Sequence, residues 1–452
     1  MDRRLTIKTQ AINKYRIYWL RITKLCNNNC LFCLDADNRS DFLIGMAKVE
    51  KEIIKARKSK YNKLVISGGE PTLHPKLFEI IKLARKNKFE KIQIITNGRR
   101  FADVKFALEC IKVGINEFTL SLHSHDSKIQ DKLYGGKGFG LQAQKGLANL
   151  VKFSKIAKIP IIINIDIVVN KLNIKSLLHT IKYYSQKFWI YEFDLLYPVP
   201  FGNASKNKDK IFFNTAKVDK YLRPVLNFYR KNQEYFIWLN RFPPEYLKGF
   251  EDLIQDPKKI LNELEGNEDN INNLLHNKKQ FSCRSESRCS LCHLHKFCQL
   301  LHEFYLPPIE KKLVKSNQLE CKLSDWFNSQ MALNQKKVIT IKLDDLGDFN
   351  KSSEILNLLK NKWSKISNIG IGNFVVYDLP ICLFKNKITI KNSSIHDLPE
   401  KAGFNKFLDY FFNRLNKIKA DDCRYCRFYN FCDGVHINLI RRLGFKILKP
   451  IK

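Results

Sequence analysis

Between residues 16 and 196 the chain alternates short, dense apolar stretches with longer ones in which apolar residues recur at helical spacing. The short stretches are Arg16–Thr23, Lys63–Ser67, Lys91–Thr96, Glu117–Leu122, Ile161–Val169 and Tyr191–Leu196. Their length and composition predict strands. Lys76–Asn87, Asp103–Val113, Leu141–Ser154 and Ile174–Lys187 have the length and pattern of helices. Six strand-then-helix repeats predict an α/β fold with a parallel sheet and right-handed crossovers. In barrels of parallel strands the chemistry lies at the C-terminal ends of the strands.

The pattern changes near residue 210, where an internal duplication begins. Cys289-Ser-Leu-Cys292-His-Leu-His-Lys-Phe-Cys298 and Cys423-Arg-Tyr-Cys426-Arg-Phe-Tyr-Asn-Phe-Cys432 both read Cys-x2-Cys-x5-Cys. His302 and His436 each follow four residues after the last cysteine. Upstream, Phe236–Glu245 resembles Phe374–Cys382, in each case with a helical segment before a strand that ends at a proline. The same spacing twice is a stronger signal than either copy alone. The expected organisation is a first domain over 1–210 and two small α+β cysteine-rich modules over 211–325 and 326–452, with 316–335 as a linker.

Composition narrows the class. The 452 residues are 44% hydrophobic and 27% charged, as in ordinary globular proteins. No apolar stretch reaches the ~18 residues of a membrane span. The opening MDRRLTIKTQ lacks the apolar core of a signal peptide, so a cytoplasmic location is expected. The formal charge of +35 would attract nucleic acid or an acidic peptide. Against that, the lysines are scattered (Lys51, Lys55, Lys58, Lys60, Lys63), and abundant Lys, Asn, Ile, Phe and Tyr is what an AT-rich genome produces.

Thirteen cysteines in such a chain argue for metal or redox chemistry rather than disulfides. Cys26, Cys30 and Cys33 follow the first predicted strand with spacing Cys-x3-Cys-x2-Cys. Three thiolates leave a four-iron cluster one ligand short, with an iron open for a small molecule to chelate. A zinc knuckle or three unrelated buried thiols would read the same way locally. Ser67-Gly68-Gly69-Glu70-Pro71-Thr72 closes the second strand. Its glycines admit close backbone approach, Glu70 can pair with an ammonium group, and Pro71 fixes the turn. Thr96-Asn97-Gly98 and Ser121-Leu-His123 end the third and fourth strands. Asn164, Asp166 and Asn170 punctuate the fifth, where buried polar groups need partners and a ligand is one of them. Gly135–Gly140 lacks the Lys-Ser/Thr of a nucleotide cradle.

In the second module Cys382, Cys423, Cys426 and Cys432 supply four thiolates, enough to close a [4Fe–4S] cluster. In the first, Cys289, Cys292 and Cys298 repeat the core. The fourth ligand is Cys283, Cys321 or absent. Zinc competes for both sites. His302 and His436 are read first as packing residues.

The cysteine triplet, with Phe32 before its last member, and the Gly-Gly-Glu-Pro segment one strand later resemble the radical SAM superfamily over about 200 residues. The resemblance implies a partial (β/α)6 barrel, a [4Fe–4S] cluster on Cys26, Cys30 and Cys33, and S-adenosylmethionine held by Phe32, Gly68, Gly69, Glu70 and Pro71. It places Ser121 or His123 near the ribose or the substrate; Asn97 and Asn164, polar groups on the neighbouring strands, are added as candidate cofactor contacts. The later cysteine segments resemble the SPASM and twitch auxiliary-cluster domains, with His302 or His436 where those domains carry a last cysteine. An enzyme that oxidatively modifies a peptide or protein side chain is then expected, served by an electron donor such as a flavodoxin or ferredoxin. RNA, suggested by the charge, is the alternative substrate. A non-catalytic iron–sulfur protein for electron transfer or scaffolding is the alternative of another class.

Overall fold

The computed structural model of the protein describes residues 15–157, 160–213, 215–259, 268–306, 402–430 and 432–448. It also describes the shorter stretches 319–322, 339–342, 374–377, 389–391, 394, 397–399 and 450–451. The chain divides into two units that meet between Arg241 and Phe242.

The first unit is built on seven strands: β1 (Ile17–Thr23), β2 (Lys63–Gly68), β3 (Lys91–Thr96), β4 (Glu117–Ser121), β5 (Ile162–Val168), β6 (Glu192–Leu196) and β7 (Phe236–Asn240). All pairings are parallel, and spatial order follows sequence order from β1 to β7. Right-handed crossovers that always step the same way put every connecting helix on one face. The other face curls inward as a partial barrel.

Side-chain alternation fits this division. Leu64, Ile66, Ile92, Ile94, Phe118, Leu120, Ile165, Ile167, Phe193 and Leu195 are buried beneath the helix layer. The alternate positions carry Gln93, Glu117, Thr119, Ser121, Asn164, Asp166, Glu192 and Asp194 on the inner face. All six expected strands are present. The sheet also continues one strand beyond the expected boundary at 210. Helix Thr215–Lys231 makes one more crossover, and β7 pairs with β6 from Glu192↔Phe236 to Leu196↔Asn240.

In the second unit, helices Glu268–Asn277, His295–Tyr305 and Phe404–Tyr410 and the turn Phe411–Leu415 bury Leu274, Phe297, Leu301, Phe407 and Phe411 together. Strands β8 (Leu319–Lys322), β9 (Ile339–Lys342), β10 (Phe374–Tyr377) and β11 (Thr389–Lys391) form a parallel sheet in the order β11-β10-β9-β8. Short antiparallel strands β12 (Lys417–Ile418) and β13 (Val435–His436) flank the last cysteine segment. The expected likeness of Phe236–Glu245 to Phe374–Cys382 does not extend to strand pairing, because β7 and β10 join different sheets. Among the described residues no helix is long and apolar enough to cross a membrane.

Candidate radical SAM active site

The loop carrying Cys26, Cys30 and Cys33 leaves the C-terminal end of β1. It is tied down on three sides. Toward β2, Gly69 N donates to Thr23 O at 2.8 Å and Glu70 N to Leu25 O at 2.7 Å. A Cβ on Gly68 or Gly69 would strike the backbone of Thr23, or of Lys24 and Leu25. The close approach that these glycines permit is thus to the cysteine loop itself. From the end of helix Ser127–Tyr134, Leu133 O and Tyr134 O accept from Leu31 N and Asn29 N. Gly135, at φ +76°, lets the chain pass 2.5 Å from Asn29 O, measured from where a Cβ would stand. From the start of helix Gly202–Lys206, Asn203 N donates to Cys33 O at 2.9 Å, and Asn203 Nδ2 donates to Cys30 O at 2.9 Å and Asn29 Oδ1 at 3.0 Å.

The three thiols lie within electrostatic reach of one another. Burial pushes the Cys30 thiol well above its ordinary range, and the charges of Cys33 and Cys26 push it further. Burial likewise raises Cys26. Arg39 opposes both shifts. Thiols crowded this way release their protons to a metal, because the ligand is the thiolate.

Asn28 supplies a test of fit for a cluster. Its Oδ1 accepts from Arg99 Nη1 at 2.7 Å, which fixes the amide's orientation. Its Nδ2, left buried, meets no acceptor at hydrogen-bond geometry among the described residues. The same amide acts on the Cys30 thiol and lowers its pKa. A buried donor beside ligand sulfurs is what an iron–sulfur cluster uses, since hydrogen bonds to sulfur set its potential. The donor set and this orphaned N–H fit a [4Fe–4S] cluster.

Glu70, 1% exposed, gathers the ends of β2 and β3. Its Oε1 accepts from Thr72 N (3.1 Å), Thr72 Oγ1 (2.6 Å) and Thr96 Oγ1 (2.7 Å). Oε2 accepts from Asn97 N at 2.8 Å and retains acceptor capacity. Burial raises the carboxyl's pKa, and these four donors oppose the rise. Pro71 opens the short turn Pro71–Leu73, which presents Thr72 to Glu70. Asn97 also donates from Nδ2 to Asn27 Oδ1 at 2.7 Å, so the ends of β3 and the cysteine loop are joined directly.

The remaining expected residues divide by surroundings. His123 is 2% exposed, accepts at Nδ1 from Val168 N (3.1 Å), and meets the edge of Phe32 at 4.5 Å between ring centres. Burial pushes its pKa down to about 3, so the ring is neutral. Ser121 O accepts from the Tyr134 hydroxyl, which also donates to Asn97 O at 3.0 Å. Asn164 is 7% exposed with Oδ1 lacking a donor among the described residues. Asn170 instead closes a turn, with Oδ1 accepting from Leu172 N. Arg99, Asn28, Tyr134 and Asn203 form no recognisable motif. Only the asparagine run Asn27–Asn29 and the Gly135 and Gly202 turns hint at them in the sequence.

In the second unit burial, then Cys292, Cys283 and Cys289, push the Cys298 thiol up to about 12, so these four thiols share one neighbourhood. Cys423, Cys426 and Cys432 share another, between β12 and β13. There Gly434 N donates to Cys432 Sγ at 3.3 Å and Ile451 N to Cys426 Sγ at 3.4 Å. Cys382 lies outside the described residues. The Cys-x2-Cys turn recurs three times: Cys33 N to Cys30 O, Cys292 N to Cys289 O, and Cys426 N to Cys423 O. His302 and His436 have different settings. His302 lies in helix His295–Tyr305, its Nδ1 2.6 Å from Arg284 Nη1. His436 ends β13, its Nε2 2.7 Å from Phe412 O while Nδ1 accepts from Asn438 N.

This geometry has a counterpart among known families. Residues 20–182 match the sequence model of the radical SAM superfamily, and this stretch is a radical SAM domain. That family uses a [4Fe–4S] cluster and S-adenosylmethionine. A probable GTP 3′,8-cyclase of Saccharolobus solfataricus is 25% identical over 210 residues, which is 46% of this chain and 64% of that protein. A second, from Thermoplasma volcanium, is 29% identical over 117 residues, 26% of this chain and 35% of that protein. The chain thus spans less than two thirds of either relative. Streptococcus suis SuiB, in a crystal structure with its precursor peptide SuiA, is 19% identical. The match covers 56% of this chain and 55% of that one, with a TM-score of 0.41.

Proposed function

We propose that the protein is a radical SAM enzyme that oxidatively modifies a peptide or protein side chain, with auxiliary iron–sulfur clusters in its second unit. The observation that carries this reading is the coexistence of the β1 triplet with two further thiol groups, Cys283/Cys289/Cys292/Cys298 and Cys423/Cys426/Cys432. A cluster and S-adenosylmethionine bound here would supply reductive cleavage to a 5′-deoxyadenosyl radical. The chain's part is to hold and shield. Cys26, Cys30 and Cys33 ligate the first cluster. Gly68 and Gly69 seat the loop, and Glu70 fixes the β2 and β3 ends while its Oε2 can accept a hydrogen bond from an ammonium N–H. The second unit's thiols would hold clusters able to take up the electron left on the substrate after hydrogen abstraction. A flavodoxin- or ferredoxin-type protein is the matching electron source.

A second reading, action on a purine nucleoside triphosphate, draws on the names of the two cyclase relatives. The carboxylates on the inner face of the barrel disfavour a triphosphate. RNA draws only on the net charge. Anaerobic reconstitution followed by iron counting and a 5′-deoxyadenosine assay tests the proposal. About twelve irons per chain and deoxyadenosine formation abolished in Cys30→Ala are expected. Reductive cleavage surviving in Cys30→Ala would refute it.

A further inference from the structure

The inner face of the barrel has the opposite sign to the chain as a whole. Ser121, Asp166, Asp194 and Trp238 stand in register across β4 to β7. Glu192 and Asn164 lie two residues earlier on their strands and share that face. Cationic partners are few. Lys63 donates to both oxygens of Glu117, at 2.8 and 2.9 Å, and is committed there. Arg241 acts on Asp166 against the Asp194 carboxylate beside it. Asp194 already accepts from Asn240 Nδ2, and Glu192 accepts from Trp238 Nε1 at 3.3 Å. Burial and the facing Asp194 carboxylate together hold the Asp166 carboxyl well above its ordinary range.

A row of carboxylates alone specifies no ligand. Asn164 adds an independent observation. It is 7% exposed, its Oδ1 has no donor among the described residues, and it stands on the face of β5 that carries Asp166. A buried acceptor without a donor costs stability unless something bound supplies one. Acceptors of Asn164 and Asp166 side by side, next to a second carboxylate, call for a group that is both cationic and rich in N–H donors.

Resting on the peptide reading above, we propose that the barrel interior is a subsite for the ammonium or guanidinium end of a lysine or arginine side chain, held by Asp166 and Asn164 with Asp194 behind them. Such a subsite selects against the net field of the protein. A +35 chain repels cations at a distance. Contacts made by the rest of a docked substrate add to what the subsite supplies, so a tethered cation is held more tightly than a free one.

The test uses reconstituted protein with S-adenosylmethionine and three probes of one shape: Nα-acetyl-lysine methylamide, Nα-acetyl-arginine methylamide and the neutral Nα-acetyl-norleucine methylamide. Binding is read by saturation-transfer NMR or equilibrium dialysis. One or both cationic probes are expected to bind at least about tenfold tighter than norleucine, since one charge-assisted hydrogen bond is worth that much. Asp166→Asn, nearly isosteric and free of the carboxylate repulsion, is expected to bring the ratio to about one while iron content is retained. Asn164→Asp, which adds a carboxylate, is expected to raise the ratio. Equal binding of charged and neutral probes, or a ratio unchanged in both variants, overturns the subsite. Deoxyadenosine formation is scored separately. Its absence alongside an intact charge preference removes the enzymatic reading and leaves the subsite. Its presence without any preference does the reverse.

Discussion

Gly69→Ala adds one methyl group at the most crowded point of the site. Its Cβ would stand 2.7 Å from the Leu25 carbonyl carbon and 2.8 Å from Lys24 O, and closer still to Leu25 O, where ordinary contact begins at 3.4 Å. All three are backbone atoms, so no side-chain rotation relieves the clash. The loop bearing Cys26 must retreat by about 1 Å, because close-packed interiors do not absorb a methyl group. The retreat strains two hydrogen bonds, Gly69 N to Thr23 O and Glu70 N to Leu25 O. Overpacking costs about 1–3 kcal/mol, and the two bonds about 1 kcal/mol each. The expected local penalty is thus about 3–5 kcal/mol. A displacement of this size at a reacting centre costs about 10²-fold in rate. Iron per chain, deoxyadenosine formation and Tm should be measured beside Gly45→Ala, whose added Cβ meets nothing within 4 Å and whose φ is −72°. The control gives up only a glycine N-cap and is expected to cost no more than about 1 kcal/mol, with iron content and rate unchanged. If Gly69→Ala matched Gly45→Ala in both iron content and rate, the account of these glycines as seats for the loop would fail.

Asn203→Ala removes the donor to Cys30 O and Asn29 Oδ1; loss of about 1–2 kcal/mol of loop stability should appear as faster iron release to a chelator, with Tm little changed. Asn28→Leu removes the buried N–H beside Cys30, so the midpoint potential of the first cluster, read by EPR-monitored titration, should fall; an unchanged potential would mean the amide does not reach the cluster. His436→Ala should lower Tm through about 2–3 kcal/mol of lost capping and a stranded Phe412 carbonyl while leaving iron per chain intact, whereas a ligand role would lower iron first.

The six expected strands agree with those observed to within about a residue, because each follows a dense apolar run bounded by turn residues. Lys91–Thr96 coincides fully. Sheet membership was less legible. Phe236–Asn240 reads the same whether it ends the barrel or opens a new module, since strand pattern records burial and not the neighbouring strand. Residue type at fixed spacing singled out Cys26, Cys30, Cys33 and Glu70, and the structure gathers them at the C-terminal ends of β1 and β2. The site was illegible where partners come from far along the chain. Nothing around Asn203 announces that it will hold Cys30 O, and Arg99 carries no signal for its grip on Asn28. The paired histidines show the opposite error of pattern: His302 and His436 share a spacing but have neither helix, strand nor partner in common.

The hold of Asn203 on Cys30 spans 173 residues of sequence. On a ribosome adding roughly 5–20 residues per second, that separation is a delay of roughly 10–35 s between the emergence of the cysteines and the arrival of the residue that clamps them. For that interval the three thiols ride on an unfinished nascent chain, open to oxygen and to adventitious metals. With the triplet holding iron as proposed, the clamp on it is complete only after the sixth strand, and a translation product truncated before Asn203 would present the cysteine motif without that clamp.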